Sequence, residues 1–205
     1  MARPKSDIQS RIVDAARTRF LSDGVDGASL RRIARGAKTS IGMIYYYYPT
    51  KDDLFLAVVE EIYVGLLADM EAALTADAPV RERIRRLFVR IGSLSEVELS
   101  VVKLIVREAL VSSVRLERLA LRFQRGHLPL LLATIRDGFA SGAMNPALHP
   151  ALAFMAMLSL GVTPQVVRRL GVKLPLPGVP EGEDLSNDLV ELLFHGISNP
   201  NRSDA

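Results

Sequence analysis

The sequence predicts an all-α protein of about nine helices, with three short helices at the N-terminus and a larger helical body after them. Apolar residues recur at helical spacings along the chain, as in the first segment, where Ile8, Ile12, Ala16 and Phe20 follow one another at intervals of four. No stretch alternates apolar and polar residues as a half-buried strand does. Glycine, proline and capping residues divide the pattern into separate helices.

Turn and capping residues divide the first fifty residues into three helices. The first helix is expected to end near Gly24, because glycine suits a left-handed C-terminal cap. Ser29 stands at the N-cap position of a short second helix. Lys38 lies in the turn before a third helix, which runs from about Ser40 to Tyr47. Pro49 closes this unit, since proline has no backbone N–H and cannot continue a helix.

Six longer helices are predicted in the rest of the chain. Thr50 and Asp53 form a capping box that begins the fourth helix, which extends to about Leu74. Further helices are expected over about 79–92, 95–111, 113–141 with a kink at Pro129, 150–163 with a bend or an end at Pro164, and 185–197. We expect residues 1–50 to form one domain, residues 51–200 a second, and residues 201–205 a disordered tail.

The composition excludes several classes of protein. The chain has no cysteine, which rules out disulfides and thiolate metal sites. Its longest nearly pure apolar run, residues 151–162, is shorter than the roughly 18 residues of a membrane span. The N-terminus lacks the apolar core of a signal peptide. We therefore expect a cytoplasmic protein without a membrane partner.

Positive charge is concentrated at the N-terminus. Residues 1–50 carry nine lysines and arginines against four acidic residues, whereas residues 51–205 carry 17 against 19. The basic end is where a polyanion such as DNA would dock. The alternative is that this surplus only keeps a surface soluble.

The sequence argues against two other functions. An enzyme would need catalytic or cofactor motifs, but the chain has no Walker loop, no dinucleotide glycine pattern and no nucleophile elbow. His127, His149 and His195 lie far apart without metal-ligand spacing, so we predict no catalytic residue, no metal and no cofactor. A helical interaction module or membrane-surface protein would depend on the dense basic run at 81–86, which alternates with apolar residues as a solvated helix face does.

Residues 29–51 carry the main functional pattern. Two short helices joined by a tight turn, with the small Ala34 and Ala37 at their contact, can cross steeply and project the start of the second helix outward. Short side chains there let a helix enter the major groove of DNA. Lys38 and Lys51 flank that helix, where they can meet phosphates. The alternative is that the four consecutive tyrosines form an aromatic packing patch.

This segment resembles the TetR family of repressors, whose third helix and following turn typically read Val-Ser-x-Gly-Thr-Leu-Tyr-x-Tyr-Phe-x-x-Lys-x-x-Leu. The matching residues are Ser40, Gly42, Tyr45, Tyr47, Lys51 and Leu54, with Ile44 and Tyr48 as like-for-like replacements. The similarity covers about residues 8–58. The resemblance implies a ligand-responsive regulator, a repressor, that binds a palindromic operator as a homodimer through its last two helices. A small-molecule effector bound among the middle helices would release it from DNA.

The resemblance also implies a role for each matched position. Base edges would be contacted by Thr39, Ser40, Ile41 and Met43, while Gly42 would allow close backbone approach. Phosphates would be contacted by Ser29, Tyr45, Tyr46 and Lys51, with Tyr47 and Tyr48 packed in the core. Lys38 stands where the family commonly has glycine, so it must adopt a left-handed backbone or a different turn. We also expect Lys38 to contact a phosphate.

Candidate pocket residues lie on the middle helices. Residues that could line an effector pocket are Phe88, Leu104, Phe123, His127 and Met155, although each also fits ordinary core packing. Polar residues on otherwise apolar helices, for which a solvated face is the simpler explanation, are Arg107, Glu108, Arg122, Gln124 and His127. Nothing in the sequence identifies the effector.

Overall fold

The computed structural model describes residues 7–169, 178 and 180–196, and these residues contain ten α-helices and no β-strand. The helices are α1 Asp7–Gly27, α2 Leu30–Gly36, α3 Ile41–Tyr47, α4 Lys51–Leu74, α5 Val80–Gly92, α6 Glu96–Val111, α7 Ser113–Gln124, α8 His127–Ala140, α9 Pro150–Arg168 and α10 Gly182–His195. The all-α prediction is confirmed. The tail predicted for 201–205 lies outside the described residues.

The tenth helix arises because the predicted seventh helix is two helices. The break falls at Arg125 and Gly126, between α7 and α8, where Gly126 has φ −126° and ψ −114°. Pro129 therefore lies in the first turn of α8, where its missing N–H removes no helical hydrogen bond. The predicted kink at Pro129 is wrong, whereas Pro164 lies inside α9.

The helices form two compact units. Unit one contains the residues up to Leu66 together with Ser95–Arg122, and unit two contains Leu67–Leu94 together with the chain from Phe123 onward. Helices α6 and α7 thus belong to the same unit as α1, α2 and α3. No helix of the described ranges is both long enough and apolar enough to cross a lipid bilayer.

The core of unit one holds two helices that are too short to be stable alone. Isolated helices below about 12 residues are marginal in water, and α2 and α3 have seven residues each. Their buried side chains pack with the apolar face of α1 and the first half of α4. Fully buried side chains in this core include Ile12, Phe20, Ile33, Ile44, Leu54, Phe55 and Leu104. Each such side chain contributes about 1.5–3 kcal/mol, so packing stabilises α2 and α3.

Close helix packing in unit two depends on a glycine. Phe88 on α5 is buried, and a Cβ placed on Gly161 of α9 would lie 2.6 Å from the Phe88 Cε1 atom. Only a glycine therefore lets α9 approach the ring this closely. Helices α8 and α10 complete the core of this unit, with Leu131, Ile135 and Leu189 buried.

Candidate nucleic-acid interface

The predicted DNA-contacting residues lie on and beside α2 and α3. Ser40 caps α3, because its Oγ accepts a hydrogen bond from the backbone N–H of Met43 across 3.2 Å. Ser29 also stands at an N-cap position, but its hydroxyl makes no capping hydrogen bond. The Ser29 hydroxyl is therefore available to a different partner, and that of Ser40 can still donate its proton.

Lys38 adopts the left-handed backbone, one of the two alternatives expected for a lysine in this turn. Its φ of 51° is the only positive φ of a non-glycine residue in the described ranges. The N–H of Lys38 donates to the carbonyl of Arg35 across 3.2 Å, and the N–H of Thr39 donates to that of Ala34 across 3.0 Å. This pair of bonds is the Schellman arrangement, in which Lys38 occupies the position that glycine usually fills. The left-handed conformation costs about 1–2 kcal/mol for an L-residue.

The tyrosines divide into an exposed pair and a half-buried pair. Tyr45 and Tyr46 are 52% and 75% exposed, so their hydroxyl groups can reach a partner in solution. Tyr47 and Tyr48 are half-buried, and the Tyr46 and Tyr47 rings meet edge to face with centroids 5.0 Å apart. Burial, together with the nearby Glu61 carboxylate, raises the pKa of Tyr48, which keeps its hydroxyl protonated.

The face of α3 between its cap and Tyr45 is accessible. Ser40 and Gly42 are exposed, and Thr39, Ile41 and Met43 are partly exposed. Ile44 points the other way and is buried. Small and medium side chains on one accessible helix face are what entry into a major groove requires.

Lys51 lies just after α3 in the chain and makes a hydrogen bond within the protein. Its Nζ donates to the backbone carbonyl of Asp26 across 2.8 Å. An ammonium group has three protons, so two remain for a phosphate. The predicted capping box beside it is confirmed, since Thr50 N donates to Asp53 Oδ2 and Asp53 N donates to Thr50 Oγ1, both across 3.0 Å.

Sequence reasoning assigned a role to only one member, Lys38, of a group of free cations. In the described part of unit one, several arginines and a lysine have side chains with neither an ion pair nor a hydrogen bond: Arg19, Arg31, Arg32, Arg35 and Lys38. By contrast, the arginines of α7 are paired with carboxylates. The free group lies on α2, at Arg19 in the second half of α1, and in the turn before α3. We call it the free-cation group. In the sequence, this group could have been found from Arg31, Arg32 and Arg35, which surround the buried Ile33 on a predicted helix.

A groove joins part of this group to α1. Arg19 and Arg32 line it together with Arg11, and its volume is about 320 Å³. Arg11 is paired with Asp7 across 3.5 Å, and Asp14 also lines the groove, so its charge is not uniformly positive. Even so, Arg19 and Arg32 give the α1–α2 side of unit one a surface that suits phosphate oxygens.

The five candidate pocket residues do not form one cluster. Leu104 is buried in unit one, whereas the other four belong to unit two. Phe88 is buried there, and the rings of Phe123 and His127 lie 4.8 Å apart. Met155 is 60% exposed on α9. Contact of these residues with an effector stays a prediction.

Three of the polar residues on α6 and α7 are engaged within the protein, and the solvated-face interpretation is wrong for one of them. Glu108 is only 3% exposed. Arg107 donates to the backbone carbonyls of Phe20 and Leu21, and Arg122 pairs with Glu60 across 2.7 Å. Gln124 is exposed, as predicted. Partners that lie 62 to 87 residues away in the chain cannot be read from helical periodicity.

Comparison with known proteins identifies relatives that regulate transcription. Residues 12–58 match the family model described as bacterial regulatory proteins, tetR family. The chain is 25% identical over 158 residues to the uncharacterized HTH-type transcriptional regulator YhgD of Bacillus subtilis, covering 75% of this chain and 80% of that protein. It is 24% identical over 192 residues to the fatty acid metabolism regulator protein of Bacillus subtilis, covering 92% and 95%.

Solved structures share the fold over nearly the whole chain. The transcriptional regulator FadR from Bacillus subtilis, in complex with stearoyl-CoA, matches with a TM-score of 0.75 and 22% identity, covering 92% of this chain and 99% of that one. The regulator PfmR from Thermus thermophilus matches with a TM-score of 0.68 and 23% identity, covering 92% and 100%.

Proposed function

Because this chain belongs to the TetR family of bacterial regulatory proteins, we propose that it is a ligand-responsive repressor that binds a palindromic operator as a homodimer. It is a DNA-binding transcriptional regulator, and a small-molecule effector would release it from the operator. The observation that carries the proposal is the accessible face of α3 beside free cations. Such a face meets base edges while the surrounding cations meet phosphates.

Sequence readout is assigned to the first half of α3. Thr39 and Ser40 can exchange hydrogen bonds with base edges, Met43 and Ile41 offer apolar contacts to thymine methyl groups, and Gly42 lets the backbone approach. Phosphate contacts are assigned to the following residues: Ser29, Lys38, Tyr45, Tyr46 and Lys51. The cations of α2 in the free-cation group extend this set. Their contribution would be independent of sequence and sensitive to salt.

The dimer interface is assigned to the last two helices, α9 and α10. On α9, Leu152, Met155 and Leu158 are exposed at spacings of three residues, and they share one helix face. Exposed apolar side chains grouped on one face mark an interaction surface. A two-fold symmetric interface is expected, because a palindromic operator presents two equivalent half-sites.

Long-chain acyl-CoA is the effector class to test first. The Bacillus subtilis FadR structure contains stearoyl-CoA. The fatty acid metabolism regulator protein of the same organism is similar to this chain over 92% of its length. In unit two, an apolar groove of about 460 Å³ between α8 and α9 is lined by Leu132, Phe139 and Phe154, with Arg136 at its side. Apolar walls with one guanidinium suit an acyl chain that carries an anionic group.

Effector release follows from differential affinity. An effector that binds better to a conformation with badly spaced DNA-binding helices lowers operator affinity by the ratio of its two binding constants. No catalytic activity is assigned to the chain, and its relatives are transcriptional regulators. A regulator that reads chromosomal DNA acts in the cytoplasm.

Selection of bound duplexes from a random DNA pool at near-physiological salt tests the proposal. An enriched inverted repeat, bound more weakly by Tyr45→Ala and Lys51→Ala, is the expected result. Arg86→Ala, which changes an exposed cation on α5, is the matched control and should bind like wild type. Enrichment of no motif, with only salt-labile binding, would contradict the proposal. The enriched duplex then serves as the probe for release by stearoyl-CoA.

A further inference from the structure

Arg115, in the first turn of α7, joins three other helices. It is 5% exposed, and its guanidinium faces carboxylates from α1, α4 and α6. Nε donates to Asp52 Oδ1 across 2.9 Å, Nη1 donates to Glu108 Oε2 across 2.8 Å, and Nη2 donates to Asp26 Oδ1. All three partners belong to unit one. The hydrogen bonds to Asp26 and Asp52 raise the pKa of Arg115, and the Arg115 guanidinium lowers the pKa of Asp26.

Glu108 extends this cluster to the end of α1. Its Oε1 accepts hydrogen bonds from the backbone N–H of Val25 and from Arg107 Nε, both across 3.2 Å. Arg107 donates in turn to the carbonyls of Phe20 and Leu21. Side chains of α6 therefore bind three backbone groups of α1: the carbonyls of Phe20 and Leu21 and the N–H of Val25.

A break in α1 makes these contacts between α6 side chains and the α1 backbone possible. Gly24 has φ 74° and ψ 167°, which interrupts the helix and exposes backbone groups. A Cβ at Gly24 would lie 3.6 Å from Glu108 Oε1, so the carboxylate lies directly against the break. The contact between α6 and the last turn of α1 is polar and directional at this point.

Polar contacts restrict the orientation of two helices in addition to their apolar packing. The hydrophobic effect itself is non-directional and depends on buried area. A guanidinium is a rigid planar fork whose N–H groups must meet their acceptors along fixed directions. Three acceptors on three helices therefore fix the orientation of α1 and α4 on α6 and α7. Helices α2 and α3 lie between α1 and α4 in the chain and are carried with them.

We propose that Arg115 is a positioning residue for DNA binding, which fixes α2 and α3 on α6 and α7 and so sets the spacing of operator half-sites. The inference rests on the function proposed above. Two recognition helices in a dimer must enter major grooves about one helical turn apart, roughly 34 Å. Angular freedom of α3 within either protomer widens the range of spacings that can be bound. Arg115 touches no base or phosphate in this role.

Spacing preference measures this role directly. The wild-type protein is used to select inverted repeats with variable spacers from a random pool. Anisotropy then gives the affinity for the preferred duplex, for duplexes with one base pair added or removed, and for a single half-site. The same duplexes are titrated with Arg115→Met and with Arg115→Met combined with Glu108→Gln. The amide that Glu108→Gln introduces is neutral and can still accept from Val25, so the double variant remains foldable if the single variant is not.

Arg118→Met is the matched control. Arg118 lies three residues along α7 and pairs with Asp53 across 2.9 Å, but both side chains are more than a third exposed. Exposed pairs restrain their helices little. This variant should keep the wild-type spacing preference.

The expected result is a loss of spacing preference without a loss of half-site binding. Wild type and Arg118→Met should discriminate against the altered spacers by about tenfold or more, and the Arg115 variants by about threefold or less. Half-site affinity should stay within about twofold of wild type. Retained spacing preference, a parallel loss of half-site affinity, or unfolding of both Arg115 variants would overturn the inference. A wild-type protein that enriches no inverted repeat would instead overturn the proposed function and the inference with it.

Discussion

The ammonium group of Lys51 donates a hydrogen bond to the backbone carbonyl of Asp26 across 2.8 Å. The two residues belong to α4 and to the last turn of α1, so the bond joins these helices beside α3. The Asp26 carboxylate accepts hydrogen bonds from Arg115. A lysine assigned to phosphate binding therefore starts from a fixed position, which reduces the entropy lost when a phosphate binds.

Lys51→Met should weaken operator binding about tenfold and make it less sensitive to salt. Loss of one phosphate contact reduces the slope of log affinity against log salt by about 0.9. The slope is measured by anisotropy between 50 and about 200 mM salt, the range in which such slopes are usually resolved. A weaker complex with an unchanged slope would show that Lys51 only orders the end of α1.

Lys38→Gly should stabilise the protein and weaken DNA binding. Glycine adopts the left-handed backbone without strain, so the free energy of unfolding should rise by about 1 kcal/mol. The lost cation should reduce both affinity and salt slope. Lys38→Asn is the control, because asparagine tolerates this backbone and also lacks the charge. Unchanged affinity and slope in both variants would refute the phosphate contact.

Met155→Glu should convert the dimer into a monomer. A carboxylate in the centre of an apolar interface is buried without a partner, and such burial costs several kcal/mol. Light scattering after size-exclusion chromatography gives the mass. Leu110→Glu, at an 84% exposed leucine of α6, is the matched control and should stay dimeric. A dimeric Met155→Glu protein would move the interface away from this face of α9.

Gly161→Ala should destabilise the fold by about 1–3 kcal/mol, because its methyl group would overlap the Phe88 ring. Gly65→Ala is the opposite case, since a Cβ at Gly65 inside α4 would have no atom within 4 Å apart from the adjacent backbone of its own helix. It should gain about 0.5–1 kcal/mol from helix propensity. Urea unfolding measures both, and equal effects of the two substitutions would contradict the packing described for α9.

The paired carboxylates of Asp26 and Asp53 should contribute a constant amount to the free energy of unfolding from pH 8 to about 5. Their contribution should decrease below about pH 4. The Arg115 guanidinium lowers the pKa of Asp26, and the Thr50 hydroxyl lowers that of Asp53 with help from Arg118. Both folded pKa values lie below the ordinary 3.8. The stabilisation is therefore complete above that value and is lost as the pH falls through the folded pKa.

Urea unfolding at pH 7, about 5 and about 3.5 measures this dependence, the lowest pH lying just under the ordinary carboxyl pKa. A protein with both Asp26→Asn and Asp53→Asn should lose less stability than wild type between the two lower pH values. Equal losses in the two proteins would assign the acid sensitivity to other carboxylates.

Local sequence signals predicted several structural features of the segment that we propose binds DNA. The N-cap position of Ser29 and the capping box of Thr50 depend on residues within a few positions, and both were confirmed. For Lys38 the sequence left two alternatives open, of which the structure has the left-handed backbone. The apolar periodicity of α1 identified Ile12 and Phe20 as core, and both are fully buried. Such features follow from interactions within one turn of helix, which the sequence displays directly.

Long-range ion pairs could not be predicted in the same way. Glu108 and Arg115 have the sequence environment of solvated helix residues, and their partners become visible only in the folded chain. The break at Gly126 was missed for a related reason, because residues on both sides continue a helical pattern. Its position depends on how α7 and α8 pack, which propensity does not determine.

The salt bridge between Arg115 and Asp26 also limits how this regulator can be recombined with its relatives. A chimera that receives residues 7–50 from another protein would exchange Asp26 but keep Arg115, Asp52 and Glu108. The donor segment would then have to supply a hydrogen-bond acceptor for the Arg115 guanidinium in place of Asp26. Exchange of operator specificity is therefore simplest by substitution at the accessible positions of α3, Ile41, Gly42 and Met43, which are not part of the Arg115 cluster.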